Sequence, residues 1–177
     1  AMSDKQLAAM MEADDSYAGS ATYTKLESVI QELFQKEYFL PVHQGRAAES
    51  ILAQVLVRPG SIVPMNYHFT TTKAHIEVRG GSVEEIIKDE GMIISSDIPF
   101  KGEMDIRKMA EIIAREGADK IAFVRIEAGT NLIGGQPVSL KNMEEVSQIC
   151  KAHGILSVMD ASLLADNLYF IHEREES

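Results

Sequence analysis

Two short stretches of this chain are apolar without alternation: Ile121-Ala122-Phe123-Val124 and Ile155-Leu156-Ser157-Val158-Met159. A strand with one wet face alternates polar and apolar residues; a strand covered on both faces does not. Val138 to His153 lies between them and puts Leu140, Met143, Val146 and Ile149 on one helical face, with Gly154 as a stop. Ahead of the first run, Ile106, Met109, Ile112 and Ile113 mark another amphipathic helix, stopped by Gly117. Buried strands separated by helices of this length need crossover connections. The expected fold is therefore α/β, a mainly parallel sheet with flanking helices.

The remaining pattern extends this reading in both directions. Residues 3–13 predict a short helix, and Tyr23, Leu26, Val29, Ile30, Leu33 and Phe34 predict a second over 22–36. Tyr38-Phe39-Leu40 predicts a short strand ending at Pro41. Ala48, Ile51, Leu52, Val55 and Leu56 share one side of the next helix, Ile62-Val63 reads as a buried strand, and Thr70 to Val78 as a helix ended by Gly80-Gly81. Region 82–101 stays open: Ser82 and Glu85 have capping-box spacing, while Ile86-Ile87 and Ile93-Ile94 suit strands. A helix over 163–171 is expected to lead into a solvated tail, His172 to Ser177. The organisation expected is a helical interface segment over 1–35 and an α/β core over 36–177.

Composition excludes several classes of function. With 17 Lys+Arg against 27 Asp+Glu, the formal charge is −10, opposite to what a nucleic-acid backbone attracts. No run approaches the ~18 apolar residues of a membrane span. The start, Ala1-Met2-Ser3-Asp4-Lys5, has no apolar signal region. The one cysteine, Cys150, cannot form an internal disulfide and fits a reducing, cytoplasmic setting.

In open parallel sheets, ligands bind beyond the carboxyl ends of the strands. Polar clusters fall at three such places. His43-Gln44-Gly45-Arg46 precedes a helix, where free N–H groups, a small residue and a guanidinium suit a phosphate; it equally suits a plain turn. Phe69-Thr70-Thr71-Thr72 offers an aromatic face and three hydroxyls, or ordinary helix N-caps. Asp160 ends an apolar strand, as a ligand partner or as a cap. Dinucleotide and P-loop glycine patterns and the nucleophile elbow are absent. His43, His68, His75, His153 and His172 lack metal-ligand spacing, and Cys150 reads as packing.

Taken in order, Ala1-Met2-Ser3-Asp4-Lys5-Gln6, Tyr17-Ala18-Gly19-Ser20, His43-Gln44-Gly45-Arg46, Phe69-Thr70-Thr71-Thr72, Gly134-Gly135-Gln136-Pro137-Val138-Ser139 and Tyr169-Phe170-Ile171 resemble the tyrosine phenol-lyase and tryptophan indole-lyase family, the beta-eliminating lyases. Thr70 after Phe69 is similar to the tyrosine branch. The resemblance implies part of the large domain of an aminotransferase-like, pyridoxal-phosphate fold of type I, in an enzyme that splits L-tyrosine into phenol, pyruvate and ammonia. It implies Gln44, Gly45 and Arg46 on the cofactor phosphate, Phe69 stacked on its ring, and Asn131 on the ring oxygen. Asp160 would meet the ring nitrogen, with Ser162 beside it. Tyr17 would protonate the leaving ring, Thr70 would meet the phenol hydroxyl, and Asp15 would help bind a monovalent cation such as K+.

The resemblance also marks departures. The family reads Asp-Ala-Thr-Arg where this chain has Asp160-Ala161-Ser162-Leu163, and leucine has neither charge nor donor. The family's cofactor-anchoring lysine motif and small domain follow well after the aspartate, and the sequence ends at Ser177. The expectation is that the chain by itself holds the cofactor noncovalently and does not cleave tyrosine. As partners it would have further copies of itself or a separately encoded remainder, with no nucleic acid and no membrane. The competing readings are a non-enzymatic remnant, a partner-binding α/β domain, and a lyase whose substrate is tryptophan.

Overall fold

The computed structural model describes residues 2–16 and 18–175. The chain divides into two compact units, Ala1–His43 and Gln44–Ser177. In the first, α1 (Asp4–Glu12) opens with a reciprocal capping box: Gln6 N–H donates to Ser3 Oγ at 3.2 Å and Ser3 N–H to Gln6 Oε1 at 2.8 Å. Ser20 caps α2 (Ala21–Phe34), and Asp14 accepts from the Ser20 hydroxyl and the Ala21 and Thr22 N–H groups. Those bonds, the Thr22 contacts foremost, hold the Asp14 carboxyl well below the usual carboxylate range. Neither helix buries a residue. Residues 38–40 are irregular rather than a strand, with Tyr38 and Leu40 exposed. Apolar side chains alone do not make a strand, whose backbone needs a partner ladder.

The second unit is built on four parallel strands in the order β2-β1-β3-β4: β1 (Ile62–Met65), β2 (Ser82–Glu85), β3 (Val124–Glu127) and β4 (Ser157–Asp160). α3 (Gly45–Leu56) leads into β1, the intervening helices are α4 (Thr70–Val78), α5 (Ile106–Glu116) and α6 (Leu140–Ala152), and α7 (Leu164–Arg174) follows β4. Two apolar clusters cover the two faces. Ala53, Val57 and Ile76 from the α3/α4 side pack with Val63, Met65 and Phe123. Met109, Ile112, Ile113, Met143, Val146 and Cys150 from α5 and α6 pack with Ile62, Val124 and Ile126. Alternate residues of one strand thus serve opposite layers, so both faces are buried and the apolar runs do not alternate.

Several expectations move. β3 and β4 start two or three residues later than their apolar runs and finish on the acidic residues Glu127 and Asp160, both of which pair with Arg125. Ser82 and Glu85 lie in β2, paired residue for residue with β1, so they form no capping box; Ile93 and Ile94 are exposed and form no strand. In α3 the buried side is Leu52, Ala53 and Leu56, while Ile51 and Val55 face outward. The expected tail is helical to Arg174, whose guanidinium bonds the Pro99 carbonyl and lies 4.3 Å above the Phe170 ring. No described helix is long and apolar enough to cross a membrane.

Candidate functional site

The order β2-β1-β3-β4 reverses direction between β1 and β3, and the crevice beyond such a switch is where parallel sheets take ligands. Here the two strands barely pair. Pro64 has no N–H to give, and Met65–Arg125 is the one full partnership, with an isolated bridge from Ile62 to Ile121. One residue further on, the fully buried Asn66 side chain replaces the ladder. Its Oδ1 accepts from Glu127 N–H at 3.0 Å, and its Nδ2 donates to the carbonyls of Glu127 at 3.0 Å and Gly102 at 2.9 Å.

A groove of about 470 Å³ opens at these strand ends, a size suited to a small cofactor. Gln44, Gly45, Arg46 and Glu49 line it from α3, Phe69 and Thr71 from the start of α4, and Glu127 and Asn131 from the end of β3. Asp160, Ser162 and Leu163 complete it from the end of β4. The sequence-predicted residues Gln44, Gly45, Arg46, Phe69, Asn131, Asp160 and Ser162 therefore converge. Thr70 heads α4 and is exposed, while its neighbour Thr71 lines the groove. Asp15 is an exposed residue of the first unit, and Tyr17 lies outside the described residues.

Helix starts give the groove its character. Side chains cap α1, α2, α5 and α6, through Ser3, Ser20, Asp105 and Ser139. No side chain caps α3, α4 or α7, whose N-cap residues are Gln44, Phe69 and Leu163, all of them groove residues. At α3 and α4 no side chain takes the first N–H groups, which lie at the positive ends of the helix dipoles, whereas at α7 the Leu164 N–H donates to the Ala161 carbonyl at 3.1 Å. The threonines are thus not caps: Thr71 and Thr72 each donate to Glu49, at 2.5 Å, and tie α4 to α3. Around Gly45 nothing lies within 4 Å of where a Cβ would sit, so no protein packing demands a glycine there. The room it leaves belongs to the groove.

The opposite wall is acidic. Asp160 Oδ1 accepts from the Ser162 hydroxyl at 2.6 Å and its N–H at 3.0 Å, so the aspartate closes a turn rather than capping α7. Its Oδ2 accepts from Arg125 Nη2 at 2.6 Å. Burial pushes the Asp160 carboxyl up, but the Ser162 bonds and the Arg125 charge outweigh it, and the group ends below its ordinary value. Glu127 lies 3.4 Å from Arg125 Nη1 and accepts the Asn131 N–H at 3.3 Å. There burial wins over Arg125 and holds the carboxyl above its ordinary value. Sequence reasoning passed over Arg125, Glu127, Asn66 and Glu49. The available signal was Val124-Arg125-Ile126-Glu127, where two charges of opposite sign sit on one face of a strand otherwise covered on both sides. Leu163 occupies the last wall, packed against Gly129 so closely that a Cβ on the glycine would stand 2.7 Å from it.

Residues 1–175 match the model of the family described as beta-eliminating lyase. The chain is 46% identical over 176 residues to tyrosine phenol-lyase from Fusobacterium nucleatum, covering 99% of this chain and 38% of that protein. It is 47% identical over 176 residues to tyrosine phenol-lyase from Clostridium tetani, with the same coverage. The chain thus spans well under half the length of these curated relatives. Among solved structures, an aspartate aminotransferase from Thermotoga maritima matches with TM-score 0.59 at 13% identity, over 77% of this chain and 34% of that one. A DegT/DnrJ/EryC1/StrS aminotransferase from Brucella abortus matches with TM-score 0.56 at 14% identity, over 89% and 38%. The fold is the aminotransferase-like, pyridoxal-phosphate type I fold, of which the chain covers part.

Proposed function

We propose a function for this groove from one premise: the chain belongs to the beta-eliminating lyase family. It forms the pyridoxal-phosphate-binding part of a carbon–carbon lyase whose substrate is an aromatic amino acid, L-tyrosine in preference to tryptophan. The observation that carries this is the polarity of the groove. One wall holds Arg46 and the uncapped start of α3; the other holds an ionised Asp160. A ligand with a phosphate at one end and a protonated ring nitrogen at the other fits both walls at once.

In this reading Gln44, Gly45 and Arg46 hold the phosphate, Phe69 covers the ring, and Asn131 meets the ring oxygen. Asp160, braced by Ser162, accepts the ring N–H. When bound, pyridoxal phosphate supplies an electron sink for charge developing at the substrate Cα. The chain's own residues bind, orient and keep the ring nitrogen protonated. Thr70 and Tyr17 are assigned to the substrate's phenol and Asp15 to a monovalent cation, on the family resemblance alone. Among the described residues no lysine lines the groove, which supports the reading that the 177 residues by themselves hold the cofactor noncovalently and do not turn tyrosine over.

The test is titration of the chain with pyridoxal 5′-phosphate, followed by equilibrium dialysis, with a parallel assay for phenol and pyruvate. Saturable binding that inorganic phosphate displaces, about tenfold weaker in Arg46→Ala, is expected, with no product formed. Absence of binding would favour the partner-binding reading. Product release by the 177 residues alone would overturn the claim that they do not turn over.

A further inference from the structure

We propose that Arg125 is a positioning residue of this groove: its guanidinium, shared between Asp160 and Glu127, fixes the Asp160 carboxylate with one acceptor position left for a cationic group of the ligand. The proposal rests on the function just described and adds a residue that neither the sequence motifs nor the family resemblance assigns.

The argument begins with the sheet. Phe123, Arg125 and Glu127 alternate onto the face of β3 that α3 and α4 cover, and Val158 and Asp160 do the same on β4. Arg125 is paired with Val158 in the ladder, so Asp160, two residues on, is its diagonal neighbour. The Arg125 side chain is 3% exposed and that of Glu127 4%. Charges this dry need partners, and besides one another Arg125 Nη1 donates to the Tyr67 carbonyl at 3.4 Å and Glu127 accepts the Asn131 N–H at 3.3 Å.

The acceptor count follows. A carboxylate offers about four acceptor positions. Ser162 fills two on Oδ1, and Arg125 Nη2 fills one on Oδ2. One remains, on the oxygen that the guanidinium orients. The charge count agrees: with both carboxyls ionised, one guanidinium faces two carboxylates and the cluster carries one net negative charge. Across the groove Arg46 and Glu49 are the other charged linings, and Glu49 is already taken by Thr71 and Thr72. A ligand nitrogen carrying a proton supplies the missing charge. With leucine at 163, Arg125 is the cation that the described residues pair with Asp160.

Arg125→Gln and Arg125→Lys test this in the full chain, with one readout that needs no ligand. Carbon-13 NMR of the labelled Asp160 carboxyl should show its titration moving upward in Arg125→Gln and partly restored in Arg125→Lys. The second readout compares pyridoxal 5′-phosphate with its benzene analogue, which lacks the ring nitrogen. The wild-type chain should favour the pyridine compound about tenfold, Arg125→Gln should lose that preference, and displacement by inorganic phosphate should stay the same. A purely structural arginine would weaken both probes alike, and that result overturns the proposal. So does an Asp160 titration indifferent to Arg125→Gln. If the wild-type chain binds neither probe, the functional reading fails, and the carboxyl titration still decides the role of Arg125. Should Arg125→Gln fail to fold, Arg125→Gln with Glu127→Gln keeps the cluster's net charge and replaces it in both measurements.

Discussion

Asp160 and Glu127 stand on adjacent strands, share one guanidinium, and are displaced in opposite directions. The difference lies in their other partners: Ser162 gives Asp160 two hydrogen bonds, whereas Glu127 receives one longer bond from Asn131 and sits in a drier place. Stability should record both. A carboxyl held below its ordinary value, about 3.9 for aspartate, stabilises the fold above that pH and loses the contribution as pH falls through the folded-state value. A carboxyl held above its ordinary value, about 4.3 for glutamate, costs stability as pH rises from there to the folded-state value. Urea unfolding across this range should therefore show Asp160→Asn flattening the loss below about pH 4, and Glu127→Gln removing a decline above about pH 4.5. An unchanged pH profile in both variants would mean that neither carboxyl is displaced.

Among the helices, stability and binding are set against each other at the groove. A helix start left uncapped forgoes about 1 kcal/mol, and α3 and α4 both forgo it where a ligand could satisfy their N–H groups. Gln44→Asp places a capping carboxylate at the start of α3. It should raise unfolding stability by roughly 0.5–1 kcal/mol and weaken pyridoxal 5′-phosphate binding, since a fixed negative charge then competes for the same N–H groups. Higher stability with undiminished binding would place the phosphate elsewhere. The same elements show what periodicity could and could not tell. The helix over Thr70–Val78 was legible to the residue, its end marked by the Gly80-Gly81 stop. The strand over Ser82–Glu85 was not, because β2 is an edge strand made by its register with β1 rather than by its own side chains.

At the scale of the molecule, both apolar clusters lie wholly within Gln44–Ser177, and α1 and α2 contribute no buried residue. A chain beginning at Gln44 should therefore unfold cooperatively and keep most of the stability of the 177 residues, measured by urea denaturation. Loss of the cooperative transition would show that the first unit is needed for the core. Exposed Met92, Ile93 and Ile94, with Ile51 and Val55 on α3, leave apolar surface of the kind that further chain or another subunit covers.

The alternation of helices with buried strands, the parallel sheet and the polar clusters at its carboxyl end follow from periodicity and turn residues, which are local properties of the chain, whereas β2 and the irregular backbone of 38–40 do not. The family follows from the sequence too, through motifs that stand in a fixed order. The tertiary structure alone decided which clusters share a groove and which helix starts stay uncapped. It also decided that Arg125 and Glu127, buried in a strand, belong with Asp160 rather than with solvent. The physical reason is that a charge's partner is set by register between strands far apart in sequence, as the pairing of Arg125 with Val158 brings Arg125 beside Asp160. No local pattern carries that pairing.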